Sequence, residues 1–135
     1  MKDEAAIIRR MEGTWELNVT LRSCRSGTPI KTFRAISTFG GGGTLMEVGA
    51  NDGSPFGSLG QGLWRHTGET NYAAVFRLFR FNHDGTFAGI EKVTRNIELS
   101  DDGNEFTATA FIEVFDMEDR LIQTGCATAS ARRLR

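Results

Sequence analysis

From residue 14 onward the chain is written almost wholly in a period of two. Trp15, Leu17, Val19 and Leu21 alternate with Glu16, Asn18, Thr20 and Arg22, which is the pattern of a strand with one buried face. Further runs of this kind cover Thr32–Phe39, Thr44–Ala50, Gly62–His66, Tyr72–Asn82, Thr86–Leu99, Glu105–Asp116 and Leu121–Arg133. The breaks between them carry turn chemistry: Ser26-Gly27-Thr28-Pro29, Gly40 to Gly43, Thr67-Gly68-Glu69, His83-Asp84-Gly85 and Asp101-Asp102-Gly103-Asn104. Asp-Gly between alternating runs marks a hairpin. Sixteen glycines against two prolines, and ten phenylalanines against one tyrosine, suit tight turns between half-buried strands.

Eight such runs joined by short links make sequence neighbours antiparallel. The predicted fold class is therefore all-β: one domain over residues 1–135, an eight-stranded antiparallel up-and-down β-barrel, wide enough to hold one small ligand. A two-sheet sandwich needs several long crossovers, and only Asn51–Gly60, which contains Pro55, is long and irregular. That stretch reads as a lid over a site or as a plain surface loop. Ahead of the barrel, Asp3–Met11 has a helical pattern, with acids at its start, Arg9 and Arg10 at its end and Gly13 as its stop. Ala5, Ile8 and Met11 would share the face that lies against a barrel end.

The net charge of −1, with both signs interleaved, leaves no basic footprint for nucleic acid. The tail Arg132, Arg133, Arg135 reads as a solvated end. No apolar run approaches the roughly 20 residues that span a bilayer, so no membrane partner is expected. The first ten residues lack the apolar core of a signal peptide, and the expected compartment is the cytoplasm; a leader cleaved earlier would leave no trace.

Gly13-Thr14-Trp15, directly after the short helix and opening the first strand, resembles the Gly-x-Trp signature of the lipocalin-like (calycin) barrels. The resemblance implies that Trp15 plugs the closed end and that an arginine of the last strand packs across its ring. Arg132 or Arg133 stands where that arginine would be, and a cation over an indole is worth about 0.5–2 kcal/mol. Phe39-x-x-Gly-Gly-Thr-Leu, Gly62-Leu-Trp-Arg-His-Thr-Gly68, Phe79-Arg-Phe-Asn82 and Gly125-Cys-Ala-Thr128 look like phrases of an uncharacterised family of small bacterial proteins, which brings no established activity.

If the barrel closes with Trp15 near Arg133, Cys24 falls opposite Thr124 and Cys126 opposite Arg22. The two cysteines are then diagonal neighbours. A disulfide, which needs Cα atoms about 4.4–6.8 Å apart, and a pair of free thiols both stay open. No activating base lies near either cysteine in sequence.

In Gly62–His66, Trp64 and His66 project to one face and Leu63 and Arg65 to the other. The first pair could wall a cavity, or His66 could end the strand in solvent. Tyr72–Asn82 is apolar on both sides: Tyr72, Ala74, Phe76, Leu78 and Arg80 form one face, Ala73, Val75, Arg77, Phe79 and Phe81 the other. A two-sided strand suggests a second contact outside the barrel, from the N-terminal helix or from another subunit in a homodimer. An inward arginine would suit an anionic ligand; an outward one would snorkel. Glu47 shares its parity with Leu45, and Glu91, Glu113 and Asp116 are further candidates for an inward carboxylate.

Gly40 to Gly43 lacks the lysine of a phosphate loop, the acidic turns lack calcium-loop spacing, and two histidines without clustered cysteines make no zinc site. Asn18-Val19-Thr20 fits a glycosylation triplet but sits within a strand. No metal and no cofactor are expected, and no catalytic residue is identified. The leading expectation is a barrel that binds a small, mostly apolar molecule, which could also be anionic, with Trp64, His66, Tyr72, Phe76, Arg80 and Glu47 around it. The alternatives are a cofactor-independent isomerase, cyclase or dehydratase using the same cavity, and a structural or interaction module forming a homodimer.

Overall fold

The computed structural model of the protein describes residues 4–50 and 58–135. Its elements are α1 (Glu4–Arg9), β1 (Gly13–Arg22), β2 (Pro29–Phe39), β3 (Thr44–Gly49), β4 (Ser58–Gly68), β5 (Asn71–Phe81), β6 (Phe87–Leu99), β7 (Glu105–Phe115) and β8 (Leu121–Arg133). Each strand pairs antiparallel with the next, and β8 returns to pair with β1, closing an up-and-down barrel. The expected fold class is what the chain adopts, and the architecture is consistent with a calycin-like fold.

Closure depends on matching large and small side chains at the seam. Ala127, Ala129 and Ala131 of β8 stand in register with Leu21, Val19 and Leu17 of β1 and with Ala110, Ala108 and Phe106 of β7. Three methyl side chains on one strand leave room for the bulk of its neighbours across the seam. Each large aliphatic or aromatic side chain buried there contributes about 1.5–3 kcal/mol.

One end of the barrel is solid. Trp15, Phe39, Trp64, Tyr72 and Phe106 are buried there, with ring centroids 4.9 Å apart for Trp15 and Phe106 and 5.9 Å for Phe39 and Trp64. These are edge-on contacts, the arrangement aromatic quadrupoles favour. Their polar tips are satisfied: Trp15 Nε1 donates to the Met11 carbonyl at 3.1 Å, Trp64 Nε1 to Gly40 at 3.0 Å and the Tyr72 hydroxyl to Ile7 at 2.6 Å. Burial raises the Tyr72 phenol above its ordinary pKa, with the nearby Arg10 charge opposing.

Arg133 is the arginine that covers Trp15, its Cζ 4.2 Å from the ring centroid. It donates Nη1 to Glu12 O at 2.6 Å, and Nη2 to Arg10 O at 2.6 Å and Gly103 O at 2.9 Å. Arg132, the other candidate, falls on the opposite face of β8 because successive side chains alternate. Gly13 has φ near +129°, and a β-carbon on it would stand 2.7 Å from Arg133 Nη1. Glycine is needed there both for the backbone and for the guanidinium beside it.

The helix differs from expectation. It ends at Arg9 rather than Met11, and Asp3 lies outside the described residues. Ala5 and Ile8 are exposed, whereas Met11, past the helix end, is fully buried. The chain turns through residues 10–12, where Arg133 grips the Arg10 and Glu12 carbonyls, and that turn drops Met11 into the barrel end. Gly13 opens β1 instead of stopping the helix. β4 begins at Ser58, inside the stretch expected to be irregular, and the remainder of that stretch, including Pro55, lies outside the described residues. Among the described residues no helix is long and apolar enough to cross a membrane.

Candidate functional site: a cavity at the open end of the barrel

The other half of the interior holds a cavity of about 580 Å³. Its position follows from the inward parity of each strand. On β1 it is lined by Val19 and Leu21 but not by Trp15 or Leu17; on β7 by Ala110, Ile112 and Val114 but not by Phe106 or Ala108. Phe33, Leu78 and Val93 complete an apolar wall, and Arg25, Ile30 and Thr124 stand at the rim. The volume falls within the roughly 300–1,000 Å³ of small-molecule sites. Two depressions of 590 and 600 Å³ lie on the outer wall among outward polar residues such as Asn18, Thr107 and Ser130.

An ion pair separates cavity from plug. Arg95 of β6 donates Nη1 to Glu47 Oε1 at 2.6 Å and Nη2 to Glu47 Oε2 at 3.2 Å, and Ser37 Oγ donates to the same Oε1. All three residues are buried, and Arg95 and Glu47 border the cavity. A bidentate pair with a third donor is the geometry that makes a buried carboxylate tolerable. The guanidinium also stacks on Phe76, Cζ 5.0 Å from the ring centroid, while Arg95 Nε has no hydrogen-bond partner among the described residues.

Glycine makes the space for this floor. Gly60 and Gly62 of β4 stand in register with Leu78 and Phe76 of β5. A β-carbon on Gly60 would lie 2.7 Å from Phe76 Cδ2, and one on Gly62 would overlap the Val75 carbonyl oxygen. The missing side chains let the Phe76 ring lie against β4 and present its face to Arg95.

Of the residues expected around a ligand, Phe76, Arg80 and Glu47 line the cavity. Trp64 and Tyr72 share the inward parity but sit at the solid end, where they pack the plug. His66 lies farther along β4 in the same direction, 5.1 Å from the Tyr72 ring by centroids, with Nε2 2.8 Å from the Glu69 carbonyl oxygen. The face of β5 that looks inward is Tyr72, Ala74, Phe76, Leu78 and Arg80. Phe79 and Phe81 on its other face are exposed, and α1, whose contacts are at the solid end, does not cover them. Glu91 borders the cavity; Glu113 stands in register with Lys92; Asp116 caps the β7–β8 turn.

Arg95 and Ser37 were not anticipated. Their signal was present: Val93-x-Arg95-x-Ile97-x-Leu99 puts a cation on an apolar face, as Leu45-x-Glu47 puts an anion on another. Two opposite charges on two inward faces of one barrel are candidates to meet. Arg80 is different. Its hydrogen bond among the described residues is a 3.5 Å contact from Nη1 to Phe115 O, at the weak limit of such bonds, so most of its donors are uncommitted.

The cysteines are joined. Cys24 and Cys126 form a disulfide with Cα atoms 5.2 Å apart, and both border the mouth of the cavity. The seam register has Arg22 opposite Cys126, as a Trp15–Arg133 alignment requires, and the bond ties the β1–β2 loop to β8. Among the described residues no group of three or more metal-ligating side chains is found. No protein-family model matches the chain, and no curated protein matches it.

Proposed function

We propose that the protein binds a small, mostly apolar molecule in this cavity, with an acidic group of the ligand held by Arg80. The observation that carries the proposal is the cavity of about 580 Å³, walled by Val19, Leu21, Phe33, Phe76, Val93, Ala110 and Ile112. Apolar walls supply affinity, and a few polar groups fix orientation. The floor charges of Glu47 and Arg95 satisfy each other. Of the other arginines bordering the cavity, Arg22 donates to Thr128 and Gly27 and Arg25 stands in the loop at the rim, so Arg80 is the one on a strand's inward face with donors to spare. The Gly13-Thr14-Trp15 opening and the Trp15–Arg133 stack support placing the chain with the lipocalin-like barrels. The Cys24–Cys126 bond favours an oxidising compartment over the expected cytoplasm.

Catalysis in the same cavity would have to run through a positioned acid or base. Two carboxylates border the cavity, Glu47 and Glu91, and the one fixed at the floor, Glu47, already has its Oε1 engaged by Ser37 and Arg95. Binding is therefore the function put forward.

Calorimetric titration with decanoate and with 1-decanol tests it. Both should bind, and Arg80→Gln should weaken decanoate about tenfold, the loss of one charge-assisted contact, while leaving 1-decanol unchanged. If neither compound binds, the proposal falls; if Arg80→Gln weakens both equally, the role of Arg80 falls.

A further inference from the structure

The outer wall of the barrel has two unlike halves. Across β1, the start of β7 and the end of β8 the outward side chains are polar: Asn18 and Thr20, Thr107 and Thr109, Thr128 and Ser130. Across β2 to β5 they include Ile36, Met46, Val48, Leu59, Leu63 and Phe79, each 44% to 64% exposed. Register makes these neighbours: Ile36 faces Val48, and Val48 faces Leu59. The exposed charges among them are Arg34, Arg65 and Arg77. Among the described residues no acidic side chain faces outward from these four strands, although the whole chain carries a net charge of −1.

From this we infer that the β2–β5 face docks on an anionic lipid bilayer surface. Exposed apolar patches on soluble proteins mark interaction sites, and the charge around this one selects the partner. Aliphatic and aromatic side chains enter the boundary between headgroups and acyl chains, while arginines pair with lipid phosphates. A second copy packed symmetrically on the same face would bring like charges together. A barrel spanning the bilayer would need an apolar band all the way round, and the hydroxyl-rich half rules that geometry out. The inference departs from the expectation of no membrane partner, which rested on the lack of a spanning segment. It stands independently of what the cavity holds.

Co-sedimentation with extruded vesicles of phosphatidylcholine, alone and mixed with phosphatidylglycerol, tests it on the whole chain. The protein should partition onto the mixed vesicles, less so as salt rises. Arg65→Gln and Arg77→Gln should each lower the partition coefficient about fivefold. Leu63→Ser with Phe79→Ser should abolish binding. These substitutions are on the outer wall, and an unchanged thermal melt shows that the barrel is intact. No partition at low salt overturns the inference, as does equal binding to neutral vesicles or to the arginine variants. A dimer in sedimentation equilibrium that Leu63→Ser with Phe79→Ser dissolves also overturns it, in favour of a second copy on this face.

Discussion

Two arginines, Arg95 buried and Arg133 half-buried, divide the interior between them. Arg133 closes the solid end: it covers Trp15 and supplies donors to the carbonyls of Arg10, Glu12 and Gly103. Its pKa is lowered by burial and then by the Arg10 and Arg135 charges, so its hydrogen bonds are made in partial isolation from water. Arg133→Ala should cost about 2–4 kcal/mol in urea unfolding, because three carbonyls lose a charged donor and the indole loses its cover. Arg95 has a different dependence. Arg95→Met strands the Glu47 carboxylate and should cost about 3–5 kcal/mol. Glu47→Gln in the Arg95→Met background should recover part of that loss; additive losses in the double variant would show the pair is not coupled. The Trp15 contact was legible because the Gly-x-Trp resemblance names both partners. The Glu47–Arg95 contact was not, because a lone charge on an apolar face has two explanations, a buried partner or a reversed strand phase, and alternation alone does not choose.

At the scale of elements, the turns and the disulfide hold the strands in register. Asp84, Asp102 and Asp116 each accept hydrogen bonds within their own turn. Their pKa values are lowered, chiefly by the Thr86 hydroxyl for Asp84, the Ser100 hydroxyl for Asp102 and the Arg120 backbone N–H for Asp116. A depressed carboxylate stabilises the fold above its unfolded pKa of about 3.9, and that contribution is lost as pH falls through the lower folded value. Unfolding midpoints should therefore hold steady from neutral pH to about 5 and drop below about 4, with a shallower drop when all three are changed to Asn. The disulfide joins residues 102 apart in sequence. Replacing both cysteines by serine should cost about 2–5 kcal/mol, read as a lower melting temperature that a reductant reproduces in the parent chain; no difference on reduction would show the bond is absent. Strand existence and order were legible because alternation and Gly-rich turns repeat along the whole chain. The buried face of α1 was not. With one short helix, the tertiary grip of Arg133 on residues 10–12 sets which side chain enters the barrel, and helical spacing does not report it.

The molecule as a whole is a barrel filled at one end and hollow at the other. The aromatic plug, the alanine-lined seam and the floor of Glu47, Arg95 and Phe76 set the boundary, and the glycines of β4 give Phe76 its place. Sequence pattern shows which side chains point inward but not how far along the axis each one sits. That depth separates Trp64 and Tyr72, which pack the plug, from Phe76 and Arg80, which border the cavity. The most direct test is a heteronuclear NMR titration of the labelled protein with decanoate. Saturable one-to-one shifts should fall on Val19, Leu21, Phe76, Val93 and Ile112, leave Trp15, Phe39 and Phe106 unmoved, and vanish in a folded Ala110→Trp variant whose indole fills the cavity. Shifts that do not saturate, that centre on the plug or the outer wall, or that survive Ala110→Trp would contradict a ligand-binding cavity at the open end.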